Sequence, residues 1–306
     1  MYPYDGHPDR RTMLRAGSAW ALASLLGCRG DAGAARQPVT YTSVRPPRSR
    51  VVLIRRADVL RGDGSADPAV LEAMLDDAVT ALLQAPSASA AWRELIKPSD
   101  VVGIKSNVWA SLPTPPALEA AVRARVIAAG VRAADVDVDD RGIRSNPVFT
   151  RATALINTRP MRTHAWSGLG TCLKNYIMFA PRPADYHDDA CAPLGSIWRQ
   201  PAVEGKTRLN VLVMLTPQFH SIGPHGFSPR FVWPYGGLIV GTDVVAVDAT
   251  GARIIQAKRR AHFGEERPIS PPPHHIQFAD TRYGLGNSDP AKIDLVRVGH
   301  AGESLI

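Results

Sequence analysis

Ionisable and amide side chains recur just after short apolar runs along this chain. Lys105 closes residues 101–105 and is followed by Ser106 and Asn107; Asp139 and Asp140 follow 136–138; Thr158 through His164 follow 154–157; His220 and His225 follow 210–215; Asp243 follows 238–240. If these runs are strands of an open α/β sheet, their carboxyl ends share one rim, where helix N-termini and loop donors also converge. Lysine and arginine there hold an anion, and asparagine orients it through directional hydrogen bonds. Imidazole moves a proton or binds a metal, and carboxylates steady the cations.

Of 36 basic residues only six are lysine, and two of these, Lys105 and Lys174, stand in apolar segments close to Asn107 and Asn175. Lys105, Lys174 and His164 are therefore the candidate catalytic groups, with Arg162 as a third source of positive charge. Asn107, Arg162, Asn175, Asp243 and Asp248 are the candidate ligand-binding residues. Asp243 also suits a helix N-cap. Asp248, inside Val-Ala-Val-Asp-Ala-Thr, needs a partner, because an acid among apolar neighbours is costly to bury. Asp139 and Asp140 read either as a solvated turn or as part of the site. Among the nine histidines, His164, His187 and His225 form the candidate ligand set for a divalent metal, although nothing is spaced as HExxH. His274-His275, after three prolines, reads as loop. Three cysteines are too few for a four-cysteine zinc site or an iron-sulfur cluster.

The formal net charge of +8 comes mainly from scattered arginines without aromatic interleaving or a long basic run, so no nucleic-acid partner is expected. At 45% hydrophobic and 21% charged, the chain has the composition of a globular protein, and no apolar run reaches the length of a spanning helix. Residues 9–15, Asp-Arg-Arg-Thr-Met-Leu-Arg, precede a weakly apolar stretch in the manner of a twin-arginine export signal. Leu25-Leu26-Gly27-Cys28 then reads as a lipobox with Cys28 acylated, and cleavage after Ala34 is the competing reading. The expected organisation is a signal over 1–28, a tether over 29–50 and one domain over 51–306. The export machinery would be one partner and the membrane would be met through the lipid anchor only, which places the protein in the periplasm. Cys172 and Cys191 would remain in the mature chain as a disulfide, as metal ligands or as free buried thiols.

The elements that must position these groups alternate between strand and helix. Strands are expected at 51–54, 101–105, 136–138, 154–157, 210–215, 238–240 and 293–298. A helix capped at Asp67-Pro68 carries Leu71, Met74, Leu75, Ala78, Val79 and Leu82 on one face. A second starts with Thr114 as N-cap and Pro115 as first helical residue and stops near Gly130, and a third is capped by Thr242-Asp243. The fold class is α/β: a largely parallel or mixed sheet with helices on both faces, in Rossmann-like layers. The stretch 159–207 reads as a long functional loop with one apolar piece, 173–179.

Five segments, in order, resemble the domain of unknown function 362 family: Gly-Ile-Lys-Ser-Asn at 103–107, Ile-Asn-Thr-Arg-Pro-Met-Arg-Thr-His at 156–164, Gly-Leu-Gly-Thr-Cys-Leu-Lys-Asn at 168–175, Gly-Pro-His-Gly at 223–226, and Gly-Thr-Asp-Val-Val-Ala-Val-Asp-Ala at 241–249. Tyr283-Gly284-Leu285-Gly286 resembles the family's closing turn. The resemblance implies a fold and a set of positions more than a reaction. Two departures stand out: the ferredoxin insert of many members is absent, and Arg162 stands where lysine is usual, keeping the charge without the point-like ammonium. The expectation is an exported α/β protein whose polar cleft binds a small anionic molecule or a metal-anion pair, with redox or metal-assisted chemistry. The rival is a non-catalytic periplasmic binding or accessory protein for a metal or an envelope redox complex.

Overall fold

A computed structural model describes residues 47–221, 226–300, 302 and 304–306. The arginine pair, Cys28, Ala34 and His225 lie outside the described residues. The strands are β1 (Ser49–Arg55), β2 (Val102–Lys105), β3 (Val136–Asp139), β4 (Ala154–His164), β5 (Gly168–Gly170), β6 (Thr207–Gln218), β7 (Gly237–Gly241) and β8 (Ile293–Gly299). The helices are α1 (Pro68–Leu83), α2 (Ala88–Leu95), α3 (Pro116–Ala128), α4 (Pro147–Arg151), α5 (Cys172–Asn175), a distorted turn α6 (Asp188–Cys191), α7 (Val244–Phe263) and α8 (His274–Thr281).

One sheet runs in the order β3-β2-β4-β6-β7-β1-β8, with β5 folded back antiparallel on the end of β4. Along it β3, β2, β4 and β6 are mutually parallel, and β1 and β8 are parallel to each other. β7 is antiparallel to both its neighbours, β6 and β1. The mixed α/β sheet expected from the sequence is therefore present, and β7, like the short β5, runs against the other strands.

Side chains alternate across the sheet, as the two-residue strand period requires. Val52, Ile54, Ile104, Ile156, Val211 and Val213 face a layer built from α1, α2 and α3. Val51, Leu53, Leu155, Leu212 and Ile239 face the other way, onto a layer that includes α5 and α7. Each such fully buried side chain contributes roughly 1.5–3 kcal/mol through removal of apolar area from water. In α1 the six expected positions are all buried, and Asp67 accepts from the Ala69 and Val70 N–H groups at its start.

Four local expectations are corrected. β1 takes in Ser49 and Arg50, so the core starts before the expected tether ends. α3 starts at Pro116 behind an extended Pro115, because a residue preceding proline is pushed out of helical geometry; the freed Thr114 hydroxyl instead accepts from the Asn107 N–H. β4 does not stop at Asn157 but continues, buried throughout, to His164. His274 and His275 open helix α8, where His275 is buried and hydrogen-bonded to Thr171. Among the described residues, no helix is long and apolar enough to cross a membrane.

Candidate functional site

Because β2, β3 and β4 run in the same direction, their last residues meet at one edge of the sheet. A cleft of about 320 Å³ opens there, lined by Asn107, Trp109, Asp140, Arg159, Arg162, His164, Trp166, Lys174, Asn175 and His187 among others. A groove of about 390 Å³ lies at the opposite edge, beside Lys97, Asp100 and Arg208, but its ionisable groups are exposed or half-buried. The concentration of buried charge singles out the smaller cleft.

Lys105 ends β2 and lies beneath this cleft, fully buried. Its ammonium donates to the Asp140 carboxylate, to the Ser106 carbonyl at 2.7 Å and to Asn175 Oδ1 at 3.4 Å. Three donors thus have three acceptors, which makes Lys105 a tie between β2, the end of β3 and α5 rather than the free ammonium its position suggested. Asp140 accepts also from the Val108 N–H, 2.9 Å away. Burial pushes its carboxyl up, but Lys105 and this N–H together bring it below the ordinary carboxylate range.

Asn175 is the hub of the site. Its Nδ2 donates to Asn157 Oδ1 at 2.8 Å and to the Thr158 carbonyl at 3.1 Å, while Oδ1 accepts from Lys105, Asn107 and Arg159, each at 3.4 Å. Asp248 holds the start of α5 by accepting from the Cys172 and Leu173 N–H groups at 2.9 and 2.8 Å. The partner demanded by an acid inside an apolar helix is thus a pair of backbone amides, and Asp248 steadies Lys174 and Asn175 through the turn that carries them.

Arg159 falls in the stretch 158–164 expected at the rim but is not singled out there as a binding residue, and it lies within β4, which runs past the expected strand end at Asn157. Arg159 and Arg162 are three apart on β4, and in a regular strand an odd separation sends side chains to opposite faces. The register of β4 against β6 slips between Pro160 and Arg162, and this bulge lets both guanidinium groups line the cleft. Gly170 on β5 leaves room for Arg159: a Cβ there would stand 2.9 Å from Nη2. Arg162 donates to Asn107 Oδ1 at 3.1 Å and lies over the Trp109 ring, 4.4 Å from its centroid. Such stacking suits a planar guanidinium better than an ammonium. Trp109 is a second component the sequence did not single out.

Positive charge is in excess. Lys105, Arg159, Arg162 and Lys174 are all at least nine-tenths buried, and the carboxylate among the described lining residues is Asp140. Burial lowers the pKa of Arg159 to about 10 and, together with the neighbouring Arg159 charge, that of Arg162 well below its ordinary value. Among the described residues, Arg159 Nε, Arg162 Nε and Lys174 Nζ are buried without a hydrogen-bond partner. Lys174 is pushed down to about 8 by burial, an effect only partly offset by the nearby Cys191 thiol. Cys172 and Cys191 are both free and buried.

His164 and His187 lie on either side of Trp166, with ring centroids 5.7 and 4.4 Å from it. Burial followed by nearby Lys174 drives His164 far below the ordinary imidazole range and His187 down to about 4. Both are neutral at pH 7. His164 Nδ1 accepts from the Trp166 N–H at 3.2 Å, which leaves Nε2 carrying the proton. The trio expected to hold a metal is not assembled: the indole separates two of its members, His225 lies outside the described residues, and among the described residues no group of three His, Cys, Asp or Glu is placed to hold a metal ion.

Asp243 does not reach this edge. It follows β7, whose reversed direction delivers it beside the start of β1, where it caps α7 and accepts from Ser49 and from the Asn287 N–H. His220, beyond β6, hydrogen-bonds Arg259 and packs against Phe231 and Phe263, away from the cleft lining.

The fold and this site define an α/β protein with a cation-rich cleft at the strand carboxyl ends. Residues 117–253 match the family profile described as a domain of unknown function (DUF362), so the family resemblance holds over this stretch. The matched residues include Asp140, Arg159, Arg162, His164, Lys174, Asn175 and Asp248. No curated protein and no solved structure matches the chain.

Proposed function

We propose that the cleft binds a small anion of the carboxylate or phosphate type. The observation that carries this reading is the set of three buried cationic nitrogens, Arg159 Nε, Arg162 Nε and Lys174 Nζ, that have no acceptor among the described residues. Buried charges need a partner, and leaving several of one sign unpaired costs several kcal/mol, on the order of the penalty for an uncompensated ion. An anion entering from solvent supplies those acceptors. Asn107, fixed between Arg162 and Asn175, would orient it. The cationic surroundings and the separation of His164 from His187 favour an anion over a bare divalent cation.

Thermal unfolding of the purified protein with phosphate, sulfate and oxalate tests the reading. At least one of them should raise the melting temperature in the wild type and lose most of that effect in Arg159→Met and Arg162→Met. A wild type indifferent to all three would remove the proposal.

We also propose export by the twin-arginine route with Cys28 as the lipidated N-terminus, supported by the paired arginines and the Leu-Leu-Gly-Cys sequence. Mass analysis of the N-terminal peptide from the membrane fraction tests it: an acylated Cys28 is expected, and an intact Met1 would overturn it.

A further inference from the structure

Two buried lysines stand at the cleft, Lys174 lining it and Lys105 beneath it, and they differ in their hydrogen bonding. Lys105 is saturated by three acceptors, one of them a carboxylate, and deprotonating it would strand Asp140. Lys174, 2% exposed and lining the cleft, has none, and the cations Arg159 and Arg162 line the same cleft. An amine desolvated beside other cations loses its proton more readily and becomes a nucleophile near neutral pH. The Cys191 thiol lies close to Lys174, and burial pushes it up and so keeps it protonated.

We propose that Lys174 forms an imine with the carbonyl carbon of a small 2-oxo acid, whose carboxylate is held by Arg159 and Arg162; this rests on the anion-binding reading above. The planar guanidinium groups suit a carboxylate, and a 2-oxo acid carries its carbonyl carbon next to that group. In the step, the neutral Lys174 amine adds to the carbonyl carbon and a C–N bond forms. The carbonyl oxygen then takes up two protons, one from the amine nitrogen and one from solvent in place of the proton that Lys174 gave up to become neutral, and leaves as water. Carbon and nitrogen are neither oxidised nor reduced overall, and no co-reactant is needed. His164, with Nδ1 occupied by the Trp166 N–H, offers Nε2–H as a hydrogen-bond donor to the departing oxygen. The positive charge of the protonated imine replaces that of the ammonium, so the charge balance with the bound carboxylate is kept.

The test uses the full exported chain incubated separately with glyoxylate, pyruvate and 2-oxoglutarate in the presence of sodium borohydride. Intact mass and peptide mapping follow. The expected result is a one-to-one reduced adduct with at least one of the three, mapped to Lys174 in the wild type and absent from Lys174→Arg. Excess oxalate should suppress it. No stoichiometric adduct with any of the three, or an adduct placed on Lys105 or spread over Lys97, Lys206, Lys258 and Lys292, overturns the proposal. Mapping on the wild type needs no variant to fold. Thermal stabilisation by oxalate or phosphate without an adduct would leave the anion site standing and remove the imine alone, whereas loss of both would remove both.

Discussion

The Lys105 ammonium and the Asp140 carboxylate meet as a buried ion pair at the ends of neighbouring parallel strands, both less than a tenth exposed. Neither is placed there by local sequence. The parallel register sets Lys105 opposite Asp139, and the next residue turns back across the strand ends to close the pair. Around this pair the rest of the site is hung, because Asn175 accepts from the same ammonium and donates to the carbonyl of Lys105.

Breaking one half of that pair should be far worse than removing both. Lys105→Met leaves Asp140 buried without its counter-charge, a situation that costs about 3–5 kcal/mol. Replacing both partners, Lys105→Met with Asp140→Leu, removes the unpaired charge and should restore most of the loss. Urea denaturation at pH 7 measures this, and a single variant within about 1 kcal/mol of wild type would contradict it. The pair also sets an acid limit. Because the folded Asp140 pKa lies below its unfolded value, its stabilisation is complete above the ordinary carboxylate range and is lost as pH falls through the folded pKa.

Burial lowers the pKa of Lys105 and of Lys174 to about 8, but Lys105 has the Asp140 carboxylate as compensation and Lys174 has no carboxylate among the described residues. Its pKa of about 8 lies below the 10.5 of a free lysine, so the unfolded chain binds more protons between those values. Its burial penalty is therefore full below about pH 8, and stability rises as pH is taken from 8 towards 10.5. Lys174→Met removes the penalty: at pH 7 and without added anions, the variant should be more stable than wild type by on the order of 2–3 kcal/mol. Its stability curve should also be flatter across the alkaline window. Denaturant midpoints at several pH values decide it, and a Met variant less stable than wild type at pH 7 would show that the ammonium has a partner after all.

Lys105, Asn107, Lys174, Asn175 and Asp248 could be picked out in the sequence because each interrupts or ends an apolar run, where a polar side chain must have a reason to be buried. The direction of β7 could not. Whether a short apolar strand runs with or against its neighbours depends on pairing between residues some 30 apart, such as Asn210 with Gly241, so Asp243 was expected at the wrong edge. Arg159 was not singled out for another reason. Polar residues ended the apolar pattern at Asn157, yet the backbone kept pairing with β6 up to a bulge that no periodicity reveals. Asp140 was ambiguous for want of its partner, which only the parallel register of β2 and β3 supplies.

The hairpin that returns the chain from β4 to α5 depends on Gly168. It adopts φ +70°, a conformation side chains rarely take, and a Cβ would run into the Pro271 carbonyl. Gly168→Ala therefore meets both backbone strain and a collision with backbone atoms that cannot swing away. A loss of at least about 2 kcal/mol is expected. Gly205→Ala is the control: its φ is also +70°, but nothing lies within 4 Å of the added atom, so it should lose only the smaller conformational term. Equal losses in thermal denaturation would mean that the packing against Pro271 contributes nothing.

Asp243 and Asp248 provide a comparison between two acids with similar bonds at the start of one helix, of which only Asp248 bonds the turn that carries Lys174. Asp243 accepts from the Val245, Ala246 and Asn287 N–H groups, and Asp248 from those of Cys172 and Leu173. Alanine at either position leaves buried amides without acceptors, at about 1–3 kcal/mol for each group that water cannot reach. Both variants should therefore be destabilised to a comparable degree. Their effects on anion binding should separate. Asp248→Ala frees the turn carrying Lys174 and Asn175, and a misplacement of even about 1 Å in a preorganised site is expected to weaken binding by tenfold or more. Asp243→Ala loosens the start of α7, the helix that also carries Asp248, but Asp243's own partners are the Val245, Ala246 and Asn287 N–H groups and Ser49 rather than the α5 turn, so it should weaken binding less than Asp248→Ala does. Calorimetric titration with whichever anion stabilises the wild type measures both. If the two variants weaken binding equally, Asp248 acts on the cleft only through overall stability and not by placing Lys174.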